Sequence, residues 1–566
     1  MEEREPITNT NTSTTMSTAG APTYLSTVLD GDLNSTTTMV TTLLVMSIGG
    51  VLSFLVSSSI ANNSKKDKDK YATPWPKVEG ALPFIGNLLQ LKDPKYLPRR
   101  TEEWASKYSK EHGCYEMNLM GERWIVACNE TRIKEIMLKR PFKVTRSAYA
   151  TETSSSVGAA GVFSKEGTEW QQHRKLVAPM FNNNHIRDYM QHIRVVSKRL
   201  VDKWGSKTES FGINDDLFKY AMDFTALSSL GKDLNTLSHP NEMAVNLNQT
   251  FDGIMLRALS PIHYWKIPLI GQYLDGVGFA VDRLVKSMEE IIDSYQKKKK
   301  EAGPDPDEVT LVGKVVEESE KDSELDRKTI VGNLMTVFFA GTDSTAATMC
   351  SVFQYLVEDE TGLQQDLANE IRSNLPADLT DITLDDLSFE NTPLLKSLVL
   401  EVNRYSPAFP LIFFHTAEDV PFCGTTLPKD TEIMCMFKYV SQNPHHAPAA
   451  VPTGPNGEYK DHTQFHPRRW LVHADNKENK DKKSGSGGEF VCKPPEVNST
   501  SFMAFGHGRR QCLGRNFADM TVAFTIAAIL QSFIVEKAPD YESAGRELFL
   551  ANTPDKDIRI QLTKRE

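Results

Sequence analysis

The sequence predicts a mainly α-helical body with smaller β-sheets, preceded by one helix long enough to cross a membrane. Three observations carry this. Helical periodicity dominates residues 98–110, 185–300, 326–345 and 516–532. Short strand patterns interrupt it near residues 115–127 and 424–436. Ahead of them all, Met39–Ile60 runs for 22 residues without a charge. A chain of 566 residues has room for about three or four domains. Its chemistry-bearing motifs are spread over most of the length, so residues 74–566 are expected to form one large body.

Residues 1–37 are rich in Ser, Thr and Asn and are expected to be disordered. The anchor, residues 38–60, would reach about 33 Å as a helix, enough to span a bilayer. A cleaved signal peptide would need a short basic lead, and the lead here is long and acidic. A plastid or mitochondrial transit peptide fits the Ser/Thr content, but Glu2, Glu3, Glu5, Asp30 and Asp32 oppose it. Lys65, Lys66, Lys68 and Lys70 follow the span, in a charged linker (61–73), and only Arg4 precedes it. The positive-inside rule therefore puts the rest of the chain in the cytosol. The seven cysteines are scattered, without C-x-x-C or zinc spacing, as suits a reducing compartment. A net charge of -10 argues against general nucleic-acid binding.

The body opens with Pro74-Trp75-Pro76 and Leu82-Pro83, a proline-stiffened stretch that would hold it at a set angle to a membrane. A helix is expected around Pro98–Lys110, then a hairpin from Tyr115 to Ala127, where apolar residues recur beside Gly121-Glu122. Trp170 and Arg174 are four apart and share a helical face, where an indole N–H and a guanidinium can hold a carboxylate. A surface Trp–Arg stack is the plainer alternative. Helices separated by Gly205, Gly231 and Ser260-Pro261 follow.

A long helix starts near Asp326 and runs into Ala340-Gly341-Thr342-Asp343-Ser344-Thr345. Gly341 costs about 1 kcal/mol there relative to Ala, and the polar side chains compete with the backbone. Glu401 and Arg404 lie three apart on one face of an apolar helix, a common arrangement of small value by itself. Phe409, Leu411, Ile412 and Phe413 offer either an apolar cavity wall or plain buried strand. Residues 475–488, charged and then Gly/Ser-rich, read as a flexible insertion. Near the C-terminus, Phe505 to Gly514 sets Cys512 among Arg509, Arg510 and Arg515, just before a helix. Cations and a helix N-terminus are expected to hold this thiol deprotonated, ready to ligate a metal or attack a substrate. A buried structural cysteine and a redox thiol are the alternatives. Gly506-x-Gly508 lacks the third glycine of a dinucleotide fingerprint.

The pattern F-x-x-G-x-R-x-C-x-G, complete in Phe505, Gly508, Arg510, Cys512 and Gly514, resembles the heme-binding loop of the cytochrome P450 family. The resemblance covers roughly residues 74–540 and implies the P450 fold, of the microsomal membrane-anchored type. It makes Cys512 the axial thiolate on the iron of heme b, with Phe505, Gly506, Gly508 and Gly514 shaping the loop and Arg510 on a propionate. Trp170 and Arg174 match the family's W-x-x-x-R, which also binds a propionate, and His415 stands where a basic residue does the same. Ala340–Thr345 resembles the kinked A-G-x-D/E-T-T segment. Asp343 is then the acid, and Ser344 replaces the usual threonine that hydrogen-bonds oxygen, with Thr345 a partial substitute pointing elsewhere. Serine keeps the hydroxyl but loses the methyl that fixes its rotamer, so some leakage of peroxide is expected. Phe465-His466-Pro467-Arg468-Arg469-Trp470 resembles the loop whose arginine, here Arg469, joins Glu401 and Arg404 in a buried structural triad.

The function so implied is a heme-thiolate monooxygenase acting with O₂ on a hydrophobic or amphipathic small molecule. Electrons would come from an NADPH-dependent reductase, with cytochrome b5 as a second donor, docking near Arg509, Arg515 and Lys175. Segments 145–160, 215–265 and 405–415 would choose the substrate. The expected membrane is the endoplasmic reticulum, with a plastid membrane as the alternative. Two other readings stand beside this one: a P450-type isomerase or dehydratase of hydroperoxides, and a non-catalytic heme-binding protein. The Asp343-Ser344 pair speaks against the isomerase, which needs no proton relay to bound oxygen.

Overall fold

Asp326 is itself extended and accepts a hydrogen bond from the Thr329 N–H at 2.7 Å, so the long helix Arg327–Glu358 starts where the sequence put it. Helices Asn214–Leu230, Val277–Ala302, Pro393–Tyr405 and Arg515–Ser532 pack around it. The tightest of these contacts is with Asn214–Leu230: a Cβ on Gly341 would come within 2.8 Å of Thr225. Glycine is required at this crossing. Apolar residues from all these helices form the main core, including Leu334, Phe338, Phe353, Leu398 and Phe524.

The computed structural model describes residues 73–91, 94–260, 263–303, 310–321, 326–443, 451–474, 490–495, 502–548 and 550–566. The tail 1–37, the anchor 38–60, all of the 61–73 linker but Thr73, and the insertion 475–488 lie outside them. Among the described residues no helix is long and apolar enough to cross a membrane.

A five-stranded sheet stands beside the helices, in the spatial order Cys114–Leu119, Glu122–Ala127, Glu432–Cys435, Ile412–Thr416, Val144–Arg146. The first two strands are the expected hairpin, turning at Met120-Gly121. Strand alternation splits its side chains between two apolar clusters. Ile125, Ala127, Ile433 and Cys435 face one, while Val126 and Met434 face the other with Tyr115 and Met117. Leu411 is buried in the second cluster, and Phe413 meets Trp124 edge-on at 5.6 Å. Leu411 is thus buried in the sheet's apolar cluster and Phe413, half-buried on strand Ile412–Thr416, packs against it.

Behind the site, Glu401 accepts five hydrogen bonds at 0% side-chain exposure. The donors are Arg404 Nε and Nη2 (2.8 Å each), the His466 N–H (2.8 Å), and Arg469 Nε and Trp470 Nε1 (3.0 Å each). Arg404 and Arg469 spend their other N–H groups on the carbonyls of Ser441, Tyr459, Asp461, His462 and Gln464. Burial pushes the Glu401 carboxyl up, and the two guanidiniums more than offset it, leaving it below the ordinary value. This network ties helix Pro393–Tyr405 to the irregular 459–470 segment. Removing one partner of such a buried set strands the other charges, so Arg469→Ala is predicted to cost about 3–5 kcal/mol in denaturant unfolding. A loss below about 1 kcal/mol, the scale of a surface pair, would contradict this account.

Candidate functional site

The cysteine loop folds back on itself. The Cys512 N–H donates to the Phe505 carbonyl at 2.8 Å and the Gly506 N–H to Met503 at 2.9 Å, before helix Arg515–Ser532 begins. Gly506 and Gly508 have φ of 73° and 70°, which explains glycine at both places. Gly514 lies against the sulfur: a Cβ there would sit 3.9 Å from Cys512 Sγ. Phe505 packs beside Phe502 and Trp470, and the Arg515 guanidinium lies 5.7 Å from the Phe505 ring.

Cys512 is solvent-exposed, yet burial is the largest influence on its thiol. The thiol titrates above its ordinary value, contrary to the expectation of a resting thiolate. Desolvation outweighs the Gly514 N–H, Arg174 and Arg515, all of which favour the anion. Arg510 turns away to Trp170 and Glu166, and Arg509 is exposed.

Helix Gly167–Val177 joins this loop to the long helix. Arg174 Nη1 donates to the Gln511 carbonyl at 3.0 Å, and His173 Nδ1 meets Asn333 Nδ2 at 2.9 Å. Trp170 is buried, with Arg510 4.9 Å and Arg174 5.5 Å from its ring.

Two guanidiniums and a backbone N–H converge on one acid, with the Arg146 guanidinium close by over the Phe163 ring. Glu166 Oε1 accepts from Arg510 Nη2 (2.9 Å), Arg140 Nη2 (3.1 Å) and the Arg146 backbone N–H (2.9 Å). Arg510 also donates to the carbonyls of Val162 and Phe163, and Arg146 Nε to that of Phe163 (3.2 Å each). Burial lowers the pKa of all three arginines, to about 10 for Arg510. Arg140 Nε is buried without a partner. The cluster is short of negative charge, and the two carboxylates of heme b fit that deficit. Cys512 supplies a soft metal donor on the neighbouring loop.

His415 pairs with Thr145 across the sheet, and its Nδ1 donates to the Arg146 carbonyl at 2.8 Å. It thus steadies the strand that carries Arg146. Sequence reasoning passed over Arg140, Arg146 and Glu166 as site residues. They come from separate segments with no shared spacing and meet only in the fold.

The long helix is unbroken through Ala340–Thr345, with no interruption at the expected kink. Thr342 Oγ1 donates to Phe338 O (2.8 Å) and Ser344 Oγ to Ala340 O (2.7 Å), so the hydroxyls bond back along the helix. One stripe stays uncovered: Ala340 is exposed and Val337, Gly341 and Ser344 are half-exposed, at i, i+3, i+4 and i+7. Ser344 therefore faces open space. Asp343 is buried on another face, accepts the Ala551 N–H, and is pushed up to about 7 by burial. Thr345 is buried as well.

The family model for cytochrome P450 matches residues 76–556. The chain is 24% identical over 473 residues to cytochrome P450 monooxygenase sphH of Aspergillus fumigatus, covering 79% of this chain and 80% of that protein. It is 23% identical to cytochrome P450 3A6 of Oryctolagus cuniculus, covering 86% and 91%. The bifunctional cytochrome P450/NADPH–P450 reductase ALT2 of Alternaria alternata is 23% identical over 85% of this chain and 40% of its own length. The crystal structure of the cytochrome P450DA heme domain superposes with a TM-score of 0.69 at 17% identity, covering 88% of this chain and 98% of that one. The chain belongs to the cytochrome P450 family, oxidoreductases that hold heme b through a cysteine and incorporate oxygen from O₂.

Proposed function

We propose that Cys512 is the heme ligand of a monooxygenase that oxygenates a hydrophobic or amphipathic small molecule with electrons from an NADPH-dependent reductase. The observation that carries this is the exposed Cys512 on a loop that Arg174 ties to helix Gly167–Val177 and Arg510 ties to the cation cluster. Held by Cys512, a bound heme would supply O₂ activation, which thiolate ligation favours. The raised Cys512 pKa is no obstacle, because a coordinating thiol is deprotonated by its metal. Arg140, Arg146, Arg174 and Arg510 would hold the propionates beside Trp170.

Ser344 keeps a hydroxyl proton at Oγ in the open stripe, next to Ala340. Asp343, one residue earlier, holds a carboxyl proton up to about pH 7. A proton relay through these residues, which an oxygen-reducing enzyme requires and an isomerase does not, has the Asp343 carboxyl turn from the Ala551 N–H toward the stripe that carries Ser344. The name monooxygenase among the relatives points the same way. Fusion of ALT2 to an NADPH–P450 reductase supports a reductase as electron donor, with cytochrome b5 as a second candidate. Lys175 and Arg509 are exposed and Arg515 half-exposed around the cysteine loop, which suits docking of an acidic partner surface. An anchor at residues 38–60 would put the catalytic body on the cytosolic face of the endoplasmic reticulum, or of a plastid membrane.

The test is turnover of the purified chain with reductase, NADPH and isotopically labelled O₂: one labelled atom in the product supports the reading, and none removes it. Asp343→Asn is predicted to lower turnover about 10²-fold, the scale of a lost general acid. It should also flatten the decline in rate as pH rises through about 7, where the wild-type carboxyl gives up its proton. Ser344→Thr should raise the ratio of product to NADPH consumed and lower the peroxide released, because the added methyl fixes the rotamer. Ser344→Ala should do the reverse.

A further inference from the structure

We propose that Glu166 is a positioning residue for the heme carboxylates, holding the guanidiniums of Arg140 and Arg510 in a fixed fork, anchoring the Arg146 backbone beside them, and setting the charge at that edge of the cofactor. This rests on the proposed heme-thiolate reading. Glu166 is the N-cap residue of helix Gly167–Val177, but its side chain makes no capping bond. N-capping is the usual work of a polar side chain at this position. The carboxylate turns instead into the arginine cluster, where Oε1 accepts from Arg140, Arg510 and the Arg146 backbone at 2.9–3.1 Å.

Those partners come from three places: the turn after helix Glu130–Met137, the edge strand Val144–Arg146, and the cysteine loop. One oxygen therefore joins the sheet, the tryptophan helix and the loop that carries Cys512. The side chains of Arg140 and Arg510 are only 4% and 3% exposed, so water screens their mutual repulsion little. Without a counter-charge they would splay apart. Glu166 holds them close, yet one carboxylate among these cations leaves a net positive charge for the propionates to complete. Arg140 Nε is buried without a partner, a donor left open to an incoming carboxylate, so the cluster is unfinished in its bonds as well as its charge.

Two variants separate clamp from charge. Glu166→Ala removes both, and heme transfer from the holoenzyme to excess apomyoglobin should be about tenfold faster or more, given the strength of charge-assisted bonds. Glu166→Gln keeps an acceptor oxygen and drops the charge, so the midpoint potential of the heme should rise, the extra positive field favouring the ferrous state. Both measurements are made on protein that keeps the carbon-monoxide band of thiolate-ligated heme. That band tests the underlying reading, and the variants test Glu166. An unchanged potential in Glu166→Gln, even with a lower unfolding temperature, would mean a merely structural residue and would overturn the proposal. So would heme retention in Glu166→Ala equal to wild type.

Discussion

A carboxylate buried at 0% exposure has to be paid for in hydrogen bonds, and Glu401 receives five. The arrangement of the rear of the molecule follows from that requirement. Arg404 and Arg469 must both reach it, so the irregular 459–470 segment is drawn against helix Pro393–Tyr405. Trp470, held by its own bond to Glu401, then meets Phe502 edge-on at 5.7 Å. Phe502 opens the run that leads to the cysteine loop, and both aromatic residues lie in the cluster against which Phe505 packs. The position of the Cys512 sulfur thus depends on a charge network that never touches it.

The site is built from opposites. At one edge, guanidiniums outnumber carboxylates and stay partly unpaired, a condition that costs stability and favours an anionic ligand. On the long helix, hydroxyls are satisfied by back-bonding to carbonyls, and only Ser344 does so on the uncovered stripe. On the cysteine loop, burial holds the Cys512 thiol above its ordinary value, and a coordinating metal would take its proton.

Much of this was readable in the residues because it rests on local rules. The Asp326 cap, the Gly121 turn, the glycines at 506 and 508 and the 401/404 spacing each follow from backbone geometry over a few positions. Three things were not readable in that way. The direction of the Cys512 shift was misjudged, because adjacent arginines are visible in sequence and desolvation is not. Glu166 looked like a spacer before Trp170, since its partners lie 20 to 344 residues away. Leu411 and Phe413 read equally well as a cavity wall or as sheet core, and only the fold shows both packed in the cluster with Tyr115, Val126 and Met434.

The direct measurement is the difference spectrum of the dithionite-reduced protein with carbon monoxide, wild type against Cys512→Ser. Wild type should give the long-wavelength band typical of thiolate-ligated heme, and Cys512→Ser should lose it while the fold persists by circular dichroism. A wild-type spectrum without that band, or a Cys512→Ser spectrum that keeps it, would contradict the assignment of this sulfur to the iron.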